Sequence, residues 1–262
     1  MRSPSGASPL SAVPFASAVS PSVGLKQAIE IRALSEQKDG RMTIQQTWTD
    51  VVAAATLALK AGDPVLARAI ERVGPCTLVP DPNLFEALID AIISQQISIQ
   101  AADAIMARLR ALLPPGPLQA QPLVALDERQ LQAAGLSSQK ISYIRDLCAR
   151  VLSGELDLQQ LPALDDEAVI RALTAVRGIG RWTAEMILIF SLGRLDVWPV
   201  DDLGLAEGLR LLYALERRPT RKELLAFGER WRPYRTVATW YIWRTRRLSM
   251  QSNRAKTRIV SL

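Results

Sequence analysis

From residue 48 onward, apolar residues recur every three or four positions in one segment after another. Local start and stop signals frame these segments. Leu84, Leu88, Ala91 and Ile92 share a face behind Asn83, and Ala101, Ile105, Leu109 and Leu112 share one from about Ser98. That spacing places them along one side of a helix. Asp50 stands where it can cap a helix over 51–60 that Gly62 closes. Asp63 and Pro64 pair an N-cap with proline at the first helical position, opening a helix over 65–73 before Gly74. Pro114-Pro115-Gly116-Pro117 then breaks the chain. Helices are predicted over 127–134, 138–152, 166–175 and 181–192, with Asp165 capping the third and Gly135, Gly154 and Gly193 ending the others. Another starts at Asp201 or Asp202. Thr220 and Glu223 form a capping box for a helix to about 231. Pro233 precedes a last helix over 234–248. Strand-like alternation is nearly absent, so the pattern predicts an all-α fold of about ten helices.

Residues 1–41 break this pattern. They are rich in Ser, Pro, Ala and Gly, and read as a disordered extension; Met42 suits a start codon for the helical region. No continuous apolar stretch follows a basic start, as a signal peptide requires. No run approaches the ~20 apolar residues of a membrane span. The expected organisation is an extension over 1–41, a folded unit over 42–249 and a basic tail over 250–262.

Composition removes whole classes of chemistry. The 262 residues include no histidine and only two cysteines, Cys76 and Cys148. Mechanisms that need imidazole are excluded, as are a disulfide scaffold, a four-thiolate zinc site and a Cys-ligated iron–sulfur cluster. The net charge of +6 is unevenly placed: residues 206–262 hold 14 Lys/Arg against 4 Asp/Glu, and half of the 14 aromatics. Such a segment suits a polyanion. It equally suits a solvated charged face over an aromatic core.

The most specific stretch is Leu173-Thr174-Ala175-Val176-Arg177-Gly178-Ile179-Gly180-Arg181-Trp182-Thr183-Ala184. Gly178 and Gly180 allow a tight turn between two amphipathic helices and close approach of another backbone. The amides of that turn and of the first turn after it lack intrahelical acceptors, and the helix dipole adds positive character. A phosphate oxygen fits there without any reading of base sequence. An ordinary αα-corner has the same appearance. Twenty residues after Trp182 comes Asp202, within Trp198-Pro199-Val200-Asp201-Asp202-Leu203. As an isolated residue it reads as a helix cap.

Taken together these segments resemble the helix-hairpin-helix DNA glycosylases, in particular the DNA-3-methyladenine glycosylase II group. The resemblance runs from about residue 48 to 249. It rests on Ile93-Ser94-Gln95-Gln96-Ile97-Ser98, on Gly135-Leu136-Ser137 through Lys140, on the hairpin (about 168–192) and on Pro199-Val200-Asp201-Asp202. Trp231-Arg232-Pro233-Tyr234-Arg235 and the Trp240–Trp243 stretch complete it. It implies two helical subdomains with a cleft between them, and a monofunctional enzyme that flips out alkylated purines and hydrolyses the N-glycosidic bond. Its partner is double-stranded DNA, bound by a monomer, in the cytoplasm of a bacterium or the nucleus of a eukaryote.

The resemblance makes Asp202 the catalytic carboxylate, with Asp201 the neighbouring alternative. A fixed negative charge stabilises the oxocarbenium-like sugar and can orient water. Trp182, Tyr234 and Met186 are the implied substrate-binding residues. An indole face attracts a cationic alkylpurine by cation–π interaction, and indole cannot form the Schiff base of a strand-cleaving lyase. Gly178, Gly180, Arg181, Thr183, Gln95 and Gln96 are the implied DNA contacts, with Gln96 at the wedge position that fills the gap left by a flipped nucleotide. The family also implies a Na or K ion on the backbone carbonyls of Thr174, Val176 and Ile179, and no other cofactor. Two rival readings stand beside this one. A non-catalytic helix-hairpin-helix DNA-binding module leaves Asp202 unused, and a glycosylase/lyase for oxidised bases needs an amine, for which Lys140 is the candidate.

Overall fold

The computed structural model describes residues 44–260; the stretch 1–41 lies outside the described residues. These fold into twelve α-helices and one 3-10 turn, with no strand among the described residues. They are α1 (Ile44–Gly62), α2 (Pro64–Val73), α3 (Leu84–Ile93), α4 (Ile99–Ala111), α5 (Ala120–Ala125), α6 (Glu128–Ala133), α7 (Ser138–Ser153), α8 (Asp166–Thr174), α9 (Arg181–Phe190), α10 (Leu203–Leu212), α11 (Arg221–Glu229) and α12 (Arg235–Val260). No described helix is long and apolar enough to cross a membrane.

The capping residues act as the sequence predicts. Asp63 accepts from the amides of Val65 and Leu66, Asn83 from Glu86, Ser98 from Ala101 and Asp165 from Ala168. Asp127 and Thr220 each form a complete capping box. Three expectations are corrected. Asp50 lies inside α1, which starts at Ile44, because nothing between 44 and 50 breaks the helix. The count rises from about ten to twelve, partly through α5, a short helix with no side-chain cap to announce it. The last helix runs on to Val260, so the basic segment from 250 prolongs α12 instead of forming a separate tail.

The packing falls into two groups. Helices α1, α2, α10 and α12 pack together, while α3 to α7 form the second group. Helices α8 and α9 pair as the hairpin, and α9 also packs on α3. One continuous apolar core spans both groups, from Leu59 and Leu66 through Ile92 and Leu147 to Leu209 and Tyr241.

Two polar anchors bring distant parts of the chain together. Asp63, 6% exposed, receives the Tyr213 hydroxyl and the Trp231 indole N–H at 3.2 Å, fastening α2 to the C-terminal aromatic cluster. In that cluster Arg230 lies over Phe227, its guanidinium carbon 4.6 Å from the ring centroid. The loop after α9 is fastened to α12 in turn. Val197 N–H donates to Thr236 Oγ1 at 3.0 Å, Thr236 N–H to Leu195 O at 2.9 Å, and Arg235 grips Asp196. The position of Asp202 follows from this fastening, because that loop leads into α10.

Glu185 on α9 is buried beneath Arg181, whose Nε lies 3.1 Å from its Oε1, while its Oε2 has no hydrogen-bond partner. Burial outweighs the pull of Arg181 and pushes the carboxyl up from 4.5 to about 7. Between those values the folded chain holds a proton that the unfolded chain has released, so stability falls as pH rises, and the loss is complete above about pH 7. Glu185→Gln removes this burden. It is expected to exceed the parent in unfolding free energy by on the order of 2 kcal/mol at pH 8 and to converge with it below pH 5. Urea unfolding at both values checks this; a constant difference across the range contradicts the burial argument.

Candidate active site

Asp202 is the N-cap of α10. Its Oδ1 accepts from Leu205 N–H and, at 2.8 Å, from the Trp243 indole N–H of α12. Its Oδ2 accepts from the Trp182 indole N–H of α9, also at 2.8 Å. Three donors from three elements thus converge on one carboxylate, which remains partly open to solvent. All are N–H groups, and charged hydrogen bonds of this kind are roughly twice as strong as neutral ones. The helix N-terminus adds positive character. Gly204 leaves room for this close fit, since a Cβ there would stand 3.0 Å from Asp202 Oδ1 and 3.4 Å from the Trp243 ring.

Asp201 stands apart: its side chain is exposed and pairs with Arg221 at 3.3 Å. Of the two aspartates, Asp202 is thus the one held by three N–H donors. Trp182 is expected as an aromatic face beside the substrate. It is 47% exposed, so a face is available, but its indole N–H also holds the carboxylate. Trp243 escaped the sequence reading. Its signal was present as an aromatic three residues after Trp240 on a helix, but the partner that gives it meaning lies 41 positions away. Phe190 supports it, stacked at 5.9 Å with 14° between the rings. Met186 and Tyr234 are both half-buried against the core.

The hairpin is held from behind by α7 and α3. Gly178 takes φ +81°, and a Cβ on it would overlap the Tyr143 ring. Asp146 of α7 accepts the Arg177 amide at 2.9 Å, and Gln95 donates to Gly178 O at 2.8 Å. Gly180 begins α9 with no side-chain cap, which leaves that end of the helix to its backbone donors. Of the implied cation ligands, Val176 O accepts the Ile179 amide at 3.1 Å, leaving one lone pair for an ion.

Two of the implied DNA contacts sit differently from an exposed, free side chain. Thr183 is buried on α9. Arg181 is exposed, but its guanidinium is paired with both Glu167 and Glu185, so it is no independent cation for phosphate. The basic C-terminal segment is treated similarly. Arg232 and Arg235 pair with Asp196, Arg217 with Glu223, and Arg210 and Arg218 with Glu207, while Trp231, Trp240 and Tyr241 are buried. The aromatic core under a charged face, one of the two readings of that composition, is present. Burial pushes the thiols of Cys76 and Cys148 up to about 11 and 12, so neither is a thiolate nucleophile near neutral pH.

The turn itself can be tested through stability. Gly178→Ala forces a side chain into a left-handed backbone and against Tyr143, and is expected to lose at least ~2 kcal/mol. Adding Tyr143→Ala removes the steric part but not the backbone part, so in urea unfolding the double variant should lose less than the two single losses added together.

Sequence and structure comparisons place the chain among known proteins. The family described as "HhH-GPD superfamily base excision DNA repair protein" matches residues 89–233. The chain is 38% identical over 167 residues to DNA-3-methyladenine glycosylase 1 of Schizosaccharomyces pombe, covering 63% of this chain and 73% of that protein. The crystal structure of a DNA-3-methyladenine glycosidase from Bacillus halodurans aligns with a TM-score of 0.65 and 41% identity, over 72% of this chain and 87% of the other. The S. pombe 3-methyladenine DNA glycosylase in complex with abasic DNA aligns with a TM-score of 0.65 and 34% identity, over 72% and 95%. With the match running from α3 through the glycine turn and Asp202 to Pro233, the chain belongs to the HhH-GPD superfamily of base excision DNA repair proteins.

Proposed function

We propose that the chain is a DNA glycosylase that hydrolyses the N-glycosidic bond of alkylated bases in duplex DNA and leaves an abasic site. The observation that carries this reading is the Asp202 carboxylate, fixed by Trp182, Trp243 and the α10 amide yet still open to solvent. Cleavage builds positive charge on the sugar, and a carboxylate already oriented by its donors stabilises that charge without reorganising. Asp202 also orients the attacking water or takes its proton. The hairpin position holds Trp182, which carries no amine, and Lys140 Nζ is bound to the carbonyls of Ile93 and Gln95. Water is therefore the nucleophile, which favours a monofunctional enzyme over a lyase.

The lesion class follows from the exposed indole. Purines alkylated at N3 or N7 are cationic, and attraction to an aromatic face contributes ~0.5–2 kcal/mol. Such bases are also good leaving groups, so one carboxylate and one aromatic face suffice. A monovalent cation on the Thr174, Val176 and Ile179 carbonyls belongs to the same proposal. Neutral oxygen donors suit Na or K, and the ion would screen a DNA phosphate at the hairpin. The enzyme is expected to act as a monomer.

Incubation of methylated duplex DNA with the protein, followed by identification of the released bases, tests the reading directly. Asp202→Asn keeps the cap but loses the charge. It is expected to reduce single-turnover release by ~100-fold or more while DNA affinity stays within a few-fold. Near-parental release by a folded Asp202→Asn protein removes Asp202 from the mechanism. The two roles of Trp182 separate in the same assay. Trp182→Phe loses the N–H to Asp202 but keeps a ring, so release of all lesions should fall together, by about 10-fold or more. Trp182→Ala should in addition lower the ratio of cationic to neutral lesions released.

A further inference from the structure

Lys140 is placed against its own helix. It lies in the first turn of α7, three residues after the cap Ser137, where the helix dipole disfavours a cation. Its Nζ reaches instead to the end of α3, donating to Ile93 O at 2.6 Å and Gln95 O at 2.9 Å. Those carbonyls stand at and just beyond a helix C-terminus, where positive charge is favourable and acceptors lack intrahelical partners. Half-burial lowers the affinity of this amine for its proton, so the position carries a cost that the two carbonyls offset.

The turn that Lys140 grips has an unusual shape. Gln96 takes φ +60°, a left-handed conformation rare outside glycine, and its side chain is exposed. Ile97 and Ile99 beside it are 38% and 77% exposed. Two aliphatic side chains bared just after an outward polar one leave apolar surface in water. It suits a surface that enters a stack of bases. On the other side of the turn, Gln95 donates to Gly178 O at 2.8 Å and ties it to the hairpin.

We propose that Lys140 is a positioning residue that holds the turn around Gln96 in its strained, outward form, and that the Gln95–Gly178 bond locks this turn to the phosphate-binding hairpin. Gripping the backbone at the hairpin then sets the depth at which Gln96, Ile97 and Ile99 enter the duplex. Lys140 acts through the turn on base extrusion and never touches the lesion. This rests on the glycosylase reading above.

The test compares one alkylated base in two settings: paired within a duplex, and in an unpaired bulge of the same duplex, where little extrusion is needed. The parent protein must release the base from both. If it releases none from either, the glycosylase reading fails and this proposal fails with it. Lys140→Met is expected to slow single-turnover release from the paired site by about 10-fold or more while leaving the bulge within about 2-fold. Lys140→Arg, which can reach the same carbonyls, should recover most of the paired-site rate. Gln95→Ala keeps Lys140 and α7 intact, and should show the same selective loss to a smaller extent, which covers the case of an unfolded Lys140→Met protein. Equal loss on both substrates, or no loss on the paired site in folded variants, overturns the proposal while leaving the glycosylase reading in place.

Discussion

A carboxylate that is to face a developing cation must be charged, immobile and reachable at once. Burial would hold Asp202 still but penalise its charge, and full exposure would do the opposite. The structure meets both demands by surrounding it with donors rather than with apolar side chains. The α10 amide, the Trp182 indole and the Trp243 indole come from three different helices, so the carboxylate is fixed only when α9, α10 and α12 converge. Much of the surrounding fold serves that convergence. Thr236 and Arg235 pin the 191–202 loop to α12, Gly204 leaves room for the Trp243 ring, and Phe190 stacks on it from α9.

The same logic joins the hairpin to the rest of the molecule. A glycine turn alone is a flexible phosphate grip. Here Tyr143 fills the space that a side chain on Gly178 would need, Asp146 holds the Arg177 amide, and Gln95 holds the Gly178 carbonyl. The turn is thereby fixed from α7 and α3, and the start of α9 places Trp182 four residues after Gly178. The glycine turn and the Asp202 carboxylate are joined through a single short helix.

What was legible in the sequence was local. Caps at Asp63, Asn83, Ser98, Asp165 and Thr220 work within three residues, so a short window contains the whole interaction. The hairpin glycines are local in the same way, whereas Asp202, twenty positions beyond Trp182, was picked out through the family resemblance. Long-range pairings were not legible. Trp182 and Trp243 meet Asp202 across 20 and 41 positions, and nothing in an indole side chain announces that its N–H will be used. Charge was misleading in the same way. Arg181 and much of the basic C-terminal segment are neutralised by carboxylates whose proximity only the fold determines. Asp50 failed in the opposite direction, as a good capping residue with no helix end to cap.

Asp63 and Asp202 make the contrast sharpest, because locally they are the same device. Each is an aspartate that caps a helix and accepts an indole N–H from the C-terminal part of the chain. Asp63 takes two amides on Oδ1, a phenol and an indole on Oδ2, and has Arg230 at 3.9 Å, all at 6% exposure. Burial and the Asp63 charge push the Tyr213 phenol far up, so it stays a donor. Nothing is left for a substrate to use, and the residue is a staple. Asp202 has one donor on Oδ2 where Asp63 has two, and no arginine beside it; its carboxylate reaches solvent next to an exposed indole. The difference between the structural aspartate and the one proposed to be reactive is therefore one unfilled acceptor position with access to it. Residue type, capping role and indole partner do not distinguish them, and sequence spacing finds the second only because its family has already marked it.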